Sequence, residues 1–382
     1  MLLRLSTLLR EGWGQPAFPA ATQWVSLDIV KAIGVAVILF VHAHFLLITD
    51  KYAIYAPDST LVTMTRELMF LGSFIMLLPI TAGCALRVSV SQHLHSDGTI
   101  KALPFMRNTL WTAVIMSCVG FMMNAMTWGS WYAFSWNMLQ MVSVAYVIVA
   151  VVLLRLRLLG VVLVAALFLL GAQLMGSWLA PYRDHYFVGI WIGNNSRFIF
   201  WPLFPWVALP AIGFLIAHGV IRYRHHTKAL MCLFFTGVAL LLLSIGNGDF
   251  SAELNNRYVW SQLMHQPAIG EVLGGVGLFC LLISVAEWLS TRIQITRYGL
   301  INSFSKGILW IYVIQMVVSY QLAPMVIEIF DFRNRLEMTG MTDILAYSFL
   351  PVLMMFLGWV IGVGVIKIMQ ENRFRITLRK VH

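Results

Sequence analysis

Charge is what this 382-residue chain has least of. Asp, Glu, Lys and Arg together make up 11% of it, against 60% hydrophobic residues. A soluble domain carries about a quarter charged residues. The shortfall leaves too little polar surface to face water, which excludes a soluble enzyme, a disordered chain and a coiled coil. Cysteine is also sparse. Cys84, Cys118, Cys232 and Cys280 each sit inside an apolar run, with neither metal-ligand spacing nor a disulfide framework, and read as packing residues. Walker A, G-x-G-x-x-G, H-E-x-x-H and G-x-S-x-G patterns are missing. So are internal repeats and matched, Gly/Pro-interrupted helices in two halves of the chain, which weighs against a transporter of the inverted-repeat kind. The first 26 residues lack the continuous apolar core of a secretory leader, being broken by Arg4, Arg10, Pro16 and Pro19. They are expected to form a cytoplasmic segment, 1–26, with an amphipathic start on the inner leaflet.

What the chain does have is apolar runs. A membrane helix needs about 20 mostly apolar residues. Runs of that kind lie near 27–48, 68–90, 108–127, 137–154, 158–180, 198–221, 229–247, 269–289, 307–327 and 342–366. They predict an all-α, polytopic integral membrane protein of about ten helices, with a transmembrane domain over 27–366 and a basic cytoplasmic tail over 367–382. An even number of crossings puts both termini on one side. With both inside, only Lys51, Arg66, Arg183, Arg197, Arg257, Arg333 and Arg335 of the 26 basic residues fall outside. Clusters such as RYRHHTK at 222–228 and RFRITLRK at 373–380 fall inside, so the expected orientation is N-in, C-in. The net charge of +10 follows from that bias. It is divided among inner loops and forms no continuous groove, so no nucleic-acid partner is expected.

The first apolar run, SLDIVKAIGVAVILFVHAHFLL over 26–47, carries the chemistry. Asp28 and Lys31 stand at its cytoplasmic entrance. His42 follows Asp28 by about 21 Å at 1.5 Å per residue, two-thirds of the way across the bilayer. Lys31 and His42, nearly three turns apart, share a face, and His44 points to nearly the opposite one. An ionisable group at that depth is costly and is a functional candidate by default. A neutral imidazole there can take a proton from a hydroxyl. Asp50 and Glu67, flanking on the outer side, are candidate partners that would orient or charge-balance it. Trp131 and Trp136, in an aromatic-rich outer loop, and Asn194 and Arg197, before the sixth run, are candidate sugar contacts; an interfacial aromatic belt would be enriched in the same residues.

Leu27, Asp28 and His42 resemble the opening of the acyltransferase-3 family, within the transmembrane acyltransferase superfamily. Its pattern is Leu-Asp, an Arg three residues later and a His eleven beyond that. Here Lys31 replaces the Arg, which keeps a point charge but not a bidentate fork. GCALRVSV at 83–90 resembles the family's Gly and Arg at the end of helix two, and WYAFSWNMLQ at 131–140 its tryptophan-containing segment. WPLFPWVALPAIGF at 201–214 is similar to the sugar N-acetyltransferase branch. SKGILWIYVIQ at 305–315 resembles a late helix ending Tyr-x-x-His, with Gln315 in the histidine's place.

The resemblance implies transfer of an acyl group, usually acetyl, from cytoplasmic acyl-CoA to a hydroxyl of an extracytoplasmic glycan. His42 would act as general base or carry an acyl-imidazole. Acetyl-CoA would be the co-substrate, with no metal, and Lys31, Arg87, Lys101 and Arg107 would meet its phosphates on the inner side. The implied setting is a bacterial inner membrane, with an exopolysaccharide acceptor and a polysaccharide-synthesis machinery as partner. Two other readings fit the same composition: a transporter or flippase of a lipid-linked sugar, and a non-catalytic membrane subunit of a polysaccharide synthase.

Overall fold

The first helix, α1 (Val25–Leu47), places Asp28 in its opening turn, where a negative charge meets the positive end of the helix dipole. From there the computed structural model is a succession of apolar helices. It describes residues 24–47, 72–193, 199, 201–223, 226–246, 267, 269–290, 292–329 and 341–379. A single turn, Gly72–Ile75, precedes α2 (Leu77–Gln92); then come α3 (Ala102–Trp128), α4 (Met138–Leu179) and the short α5 (Tyr186–Ile192). Another turn, Leu203–Trp206, leads into α6 (Ala208–Tyr223). It is followed by α7 (Thr227–Gly246), α8 (Ile269–Ser290), α9 (Leu300–Ile329) and α10 (Met341–Arg379). The described parts of the ten predicted apolar runs fall on these segments. Among the described residues, strand pairing is limited to two isolated bridges, and seven helices are long and apolar enough to cross a membrane. The protein is an all-α polytopic membrane protein. The amphipathic expectation for the N-terminus lies outside the described residues, and the basic tail continues α10 as helix through Arg379.

Two predicted runs, 137–154 and 158–180, are joined in the continuous α4. Its start is fixed by a capping box: the Asn137 side chain accepts from the Leu139 N–H, and the Gln140 side chain accepts from the Asn137 N–H. Its middle is broken at Arg157, where φ is 53° and ψ −144°. Eight residues of straight helix span about 12 Å. Yet a Cβ placed on Gly160 would lie 2.3 Å from the Val152 side chain. The chain therefore doubles back at RLR, 155–157, and α4 is a helical hairpin.

The helices gather into two compact units, Met1–Trp24 with Met76–Glu287, and Val25–Ile75 with Trp288–His382. In the first, α2 packs on α6, and α4 packs on α3 and α6. The apolar residues that α3, α4 and α7 leave exposed, such as Trp111, Leu167 and Leu242, suit a lipid-facing surface. In the second unit, α1, α9 and α10 pack pairwise around Val35, Leu39, Phe304, Ile311 and Met354. Close approach there depends on Gly362, where a Cβ would meet the Ser303 carbonyl oxygen at 2.3 Å.

Candidate active site

Two side-chain contacts tie α1 to α9. Near the start of each helix, the Ser305 hydroxyl donates to the Asp28 carboxylate, and Lys306 Nζ stands 3.9 Å from the same oxygen. Asp28 is 4% exposed. A carboxylate so buried needs hydrogen bonds and a nearby cation to be tolerated. This fixes Asp28 as a clamp between two helices. Farther along both, His42 meets Gln315. The imidazole Nδ1 lies 3.1 Å from the amide Oε1 and 2.8 Å from its Nε2. Gln315 is 2% exposed.

That contact settles what faces one edge of the imidazole. Asp50 and Glu67, the acidic candidates, lie outside the described residues; the side chain on Nδ1 is a neutral amide. When Oε1 accepts from Nδ1–H, the lone pair resides on Nε2. Among the described residues, none is bonded to Nε2. A histidine held in this way can act as a base through one nitrogen while the other keeps its proton. Lys31, on the same helix, is half-buried; the side chain of His44 is not among those described.

The cationic candidates differ in character. Arg87, on α2, is 2% exposed. Its Nε–H donates to His218 Nδ1 on α6 at 3.2 Å, and Nη1 donates to Ser91 Oγ at 2.6 Å. Because a guanidinium only donates, His218 must present an unprotonated Nδ1. Lys101 and Arg107 are exposed at the other side of a tight loop. That loop is closed by bonds from Lys101 N to His93 O and from Thr99 to Asp97, with Leu94 and Ile100 in antiparallel register. The Thr99 N–H and hydroxyl hold the Asp97 carboxyl below the usual carboxylate range. Sequence spacing groups these cations by side of the membrane; the structure buries Arg87 against half-buried His218 and Ser91 and leaves the other two in the open.

The aromatic candidates also separate. Trp131 is 91% exposed, on a 3₁₀ turn after α3. Trp136 is half-buried, and its indole N–H donates to the Trp201 carbonyl at 2.9 Å beside a bridge between Trp136 and Ile199. Trp136 thus ties two loops together. Beneath it, Asn137 Nδ2 donates to Asn124 Oδ1 at 2.6 Å, and Asn124 Nδ2 donates to the Ser135 carbonyl at 2.5 Å. Asn194 and Arg197 lie outside the described residues. Sequence reasoning overlooked Ser305, His218 and Gln315 as partners. Only the Tyr-x-x-Gln spacing at 312–315 hinted at the last of them.

With this geometry in place, comparison with known families is informative. Residues 24–251 match the family described as heparan-alpha-glucosaminide N-acetyltransferase, catalytic. The matched stretch takes in α1 with His42, α2 with Arg87, the WPLFPWVALPAIGF segment and α6 with His218; Gln315 lies beyond it. No curated protein matches the chain. The match is to the N-acetyltransferase family, and membership of acyltransferase-3 itself is not shown. Since the matched residues make up more than half of the chain, it belongs to the heparan-alpha-glucosaminide N-acetyltransferase catalytic-domain family, a family of transmembrane acetyltransferases.

Proposed function

We propose that this protein moves an acetyl group from cytoplasmic acetyl-CoA to a hydroxyl of an extracytoplasmic glycan, with His42 as general base. The observation that carries the reading is the His42 imidazole, partway along α1, held through Nδ1 by Gln315. The family's name supplies the acetyl group and a sugar acceptor. The acceptor in that name is acetylated on nitrogen, so the assay below reads ester and amide separately.

In the proposed step the acceptor O–H gives its proton to His42 Nε2 as its oxygen attacks the thioester carbonyl. The C–O bond forms, the C–S bond breaks, and the proton on Nε2 passes to the departing sulfur. Lys31, Arg87, Lys101 and Arg107 would bind the donor's phosphates at the inner side, where the expected N-in, C-in orientation puts them. Asp50 and Glu67 would offset the imidazolium charge from the outer side. Trp131, Trp136, Asn194 and Arg197 would receive the sugar. A domain spanning 27–366 in a bacterial inner membrane, acting on an exopolysaccharide beside its synthesis machinery, completes the reading. A flippase of lipid-linked sugar would need neither the Asp28, Lys31 and His42 register nor an acetyl donor.

Inside-out membrane vesicles supplied with acetyl-labelled acetyl-CoA test this directly. Label should reach a glycan in the wild type and be lost in His42→Ala at matched expression. Alkali-labile label marks an ester and alkali-stable label an amide. Transfer that survives in His42→Ala would overturn the assignment of the base. Absence of any transfer with an acceptor-rich extract would favour the flippase or a non-catalytic subunit.

A further inference from the structure

We infer that Gln315 is the positioning residue of the catalytic base, an uncharged group that fixes the His42 tautomer without titrating itself. The inference rests on the proposed role of His42. Gln315 sits in a largely apolar stretch of α9, between Tyr312 and Met316, and is buried. A buried amide without partners costs several kcal/mol in an apolar setting, so its presence needs a reason. Both ends of the amide lie within hydrogen-bond reach of His42 Nδ1, at 2.8 and 3.1 Å. With the amide oxygen turned to the ring, it accepts from Nδ1–H both in the neutral imidazole and in the imidazolium. The bond therefore persists through the reaction while Nε2 gains and loses the proton.

Other side chains would change the chemistry. A carboxylate at this position would orient the ring but also stabilise its charged form. A histidine would add a second titrating group coupled to the first. The amide orients and does neither. On the elements packed against α1, the ionisable groups are Lys306, Tyr312, Tyr320 and Glu328 of α9 and, on α10, Asp343, Tyr347, Lys367, Glu371, Arg373, Arg375 and Arg379. On α1 itself, Asp28 and Lys31 lie about 21 and 16 Å back along the axis, and His44 is two residues on. Among the described side chains, the Gln315 amide is the one bonded to the His42 ring.

Gln315→Met and Gln315→Glu, compared in the full-length protein in vesicles or nanodiscs with His42→Ala as reference, test the inference. Methionine keeps the length of the side chain but cannot hydrogen-bond in this way. Its kcat should fall about 10- to 100-fold, by analogy with the loss when the hydrogen-bond partners that orient metal-bound histidines are removed, with the KM for acetyl-CoA unchanged. Glutamate should restore transfer but move the acid limb of the kcat/KM profile up by about one pH unit or more. The sign follows from the charge: a carboxylate holds the imidazolium to higher pH, so the free base appears later. A packing role alone would leave that limb in place. Wild-type kcat in Gln315→Met, or an unmoved acid limb in an active Gln315→Glu, would overturn the inference. If Gln315→Met fails to fold, the limb in Gln315→Glu decides alone. Activity in His42→Ala would instead overturn the function on which the inference rests.

Discussion

Gly83 of α2 and Gly213 of α6 let the two helices meet backbone to backbone. A Cβ on Gly83 would lie 1.9 Å from the Pro210 carbonyl oxygen, and one on Gly213 would lie 2.0 Å from that of Ile80. Both obstacles are backbone, which cannot turn aside as a side chain would. Close helix contact through small residues is a main source of packing energy in membranes. The same pair of helices carries Arg87 and His218, four and five residues farther along.

Gly83→Ala and Gly213→Ala should therefore each force the helices apart, at a cost of about 1–3 kcal/mol or more. Thermal unfolding of the detergent-solubilised protein measures this. The Arg87–His218 bond should loosen in the same variants. An alanine variant with the wild-type midpoint would mean that the helices have room to shift.

Arg87→Lys tests the proposed donor site. Lysine keeps the charge but loses the fork that donates from Nε to His218 and from Nη1 to Ser91. The expected outcome is a KM for acetyl-CoA raised about tenfold, equivalent to about 1.4 kcal/mol, with kcat little changed. His218→Ala should move KM the same way by less. A lowered unfolding midpoint with an unchanged KM would make Arg87 a structural residue only.

Asn137→Ala removes the cap of α4 and also the donor to Asn124 Oδ1. Loss of a cap costs about 1 kcal/mol, and an orphaned buried acceptor costs about 1–3 kcal/mol more. The variant should melt several degrees lower than wild type. Thr99→Ala, in the exposed loop after α2, serves as the comparison and should melt close to wild type. Equal midpoints for Asn137→Ala and wild type would show that the buried amide cluster contributes nothing.

Asp28→Ala and Lys306→Ala should differ. Lys306 is 37% exposed and can turn to water, whereas Asp28 is buried and holds Ser305. Removing the aspartate should lower the unfolding midpoint by more than removing the lysine. The reverse order would mean that the lysine, and not the buried carboxylate, organises this end of α1 and α9.

Much of the fold was legible because a lipid solvent demands apolar length, and length shows in a sequence. The same uniformity hides which face of each helix meets which neighbour. In α3, for example, Trp111 and Ile115 are exposed while Phe105 and Met123 are buried, yet all four are apolar. His42 stood out because a histidine in an apolar run is rare. Its partner did not, since 273 residues separate the two and nothing local in α9 says that it lies beside α1. Arg87 stands out in the sequence by its charge, while nothing near His218, 131 residues away, marks it as the partner. Trp136 was a candidate sugar contact because indole suits a sugar face; its N–H is already given to Trp201.

Asp28 pairs with Ser305 and, later along both helices, His42 pairs with Gln315, so α1 and α9 point the same way. Two contacts along one parallel pair work like two pins through a pair of rods. The first sets how far one helix can slide along the other, and the second is then met at a fixed register. The buried carboxylate near the start of the pair thereby sets the height at which the imidazole finds its amide.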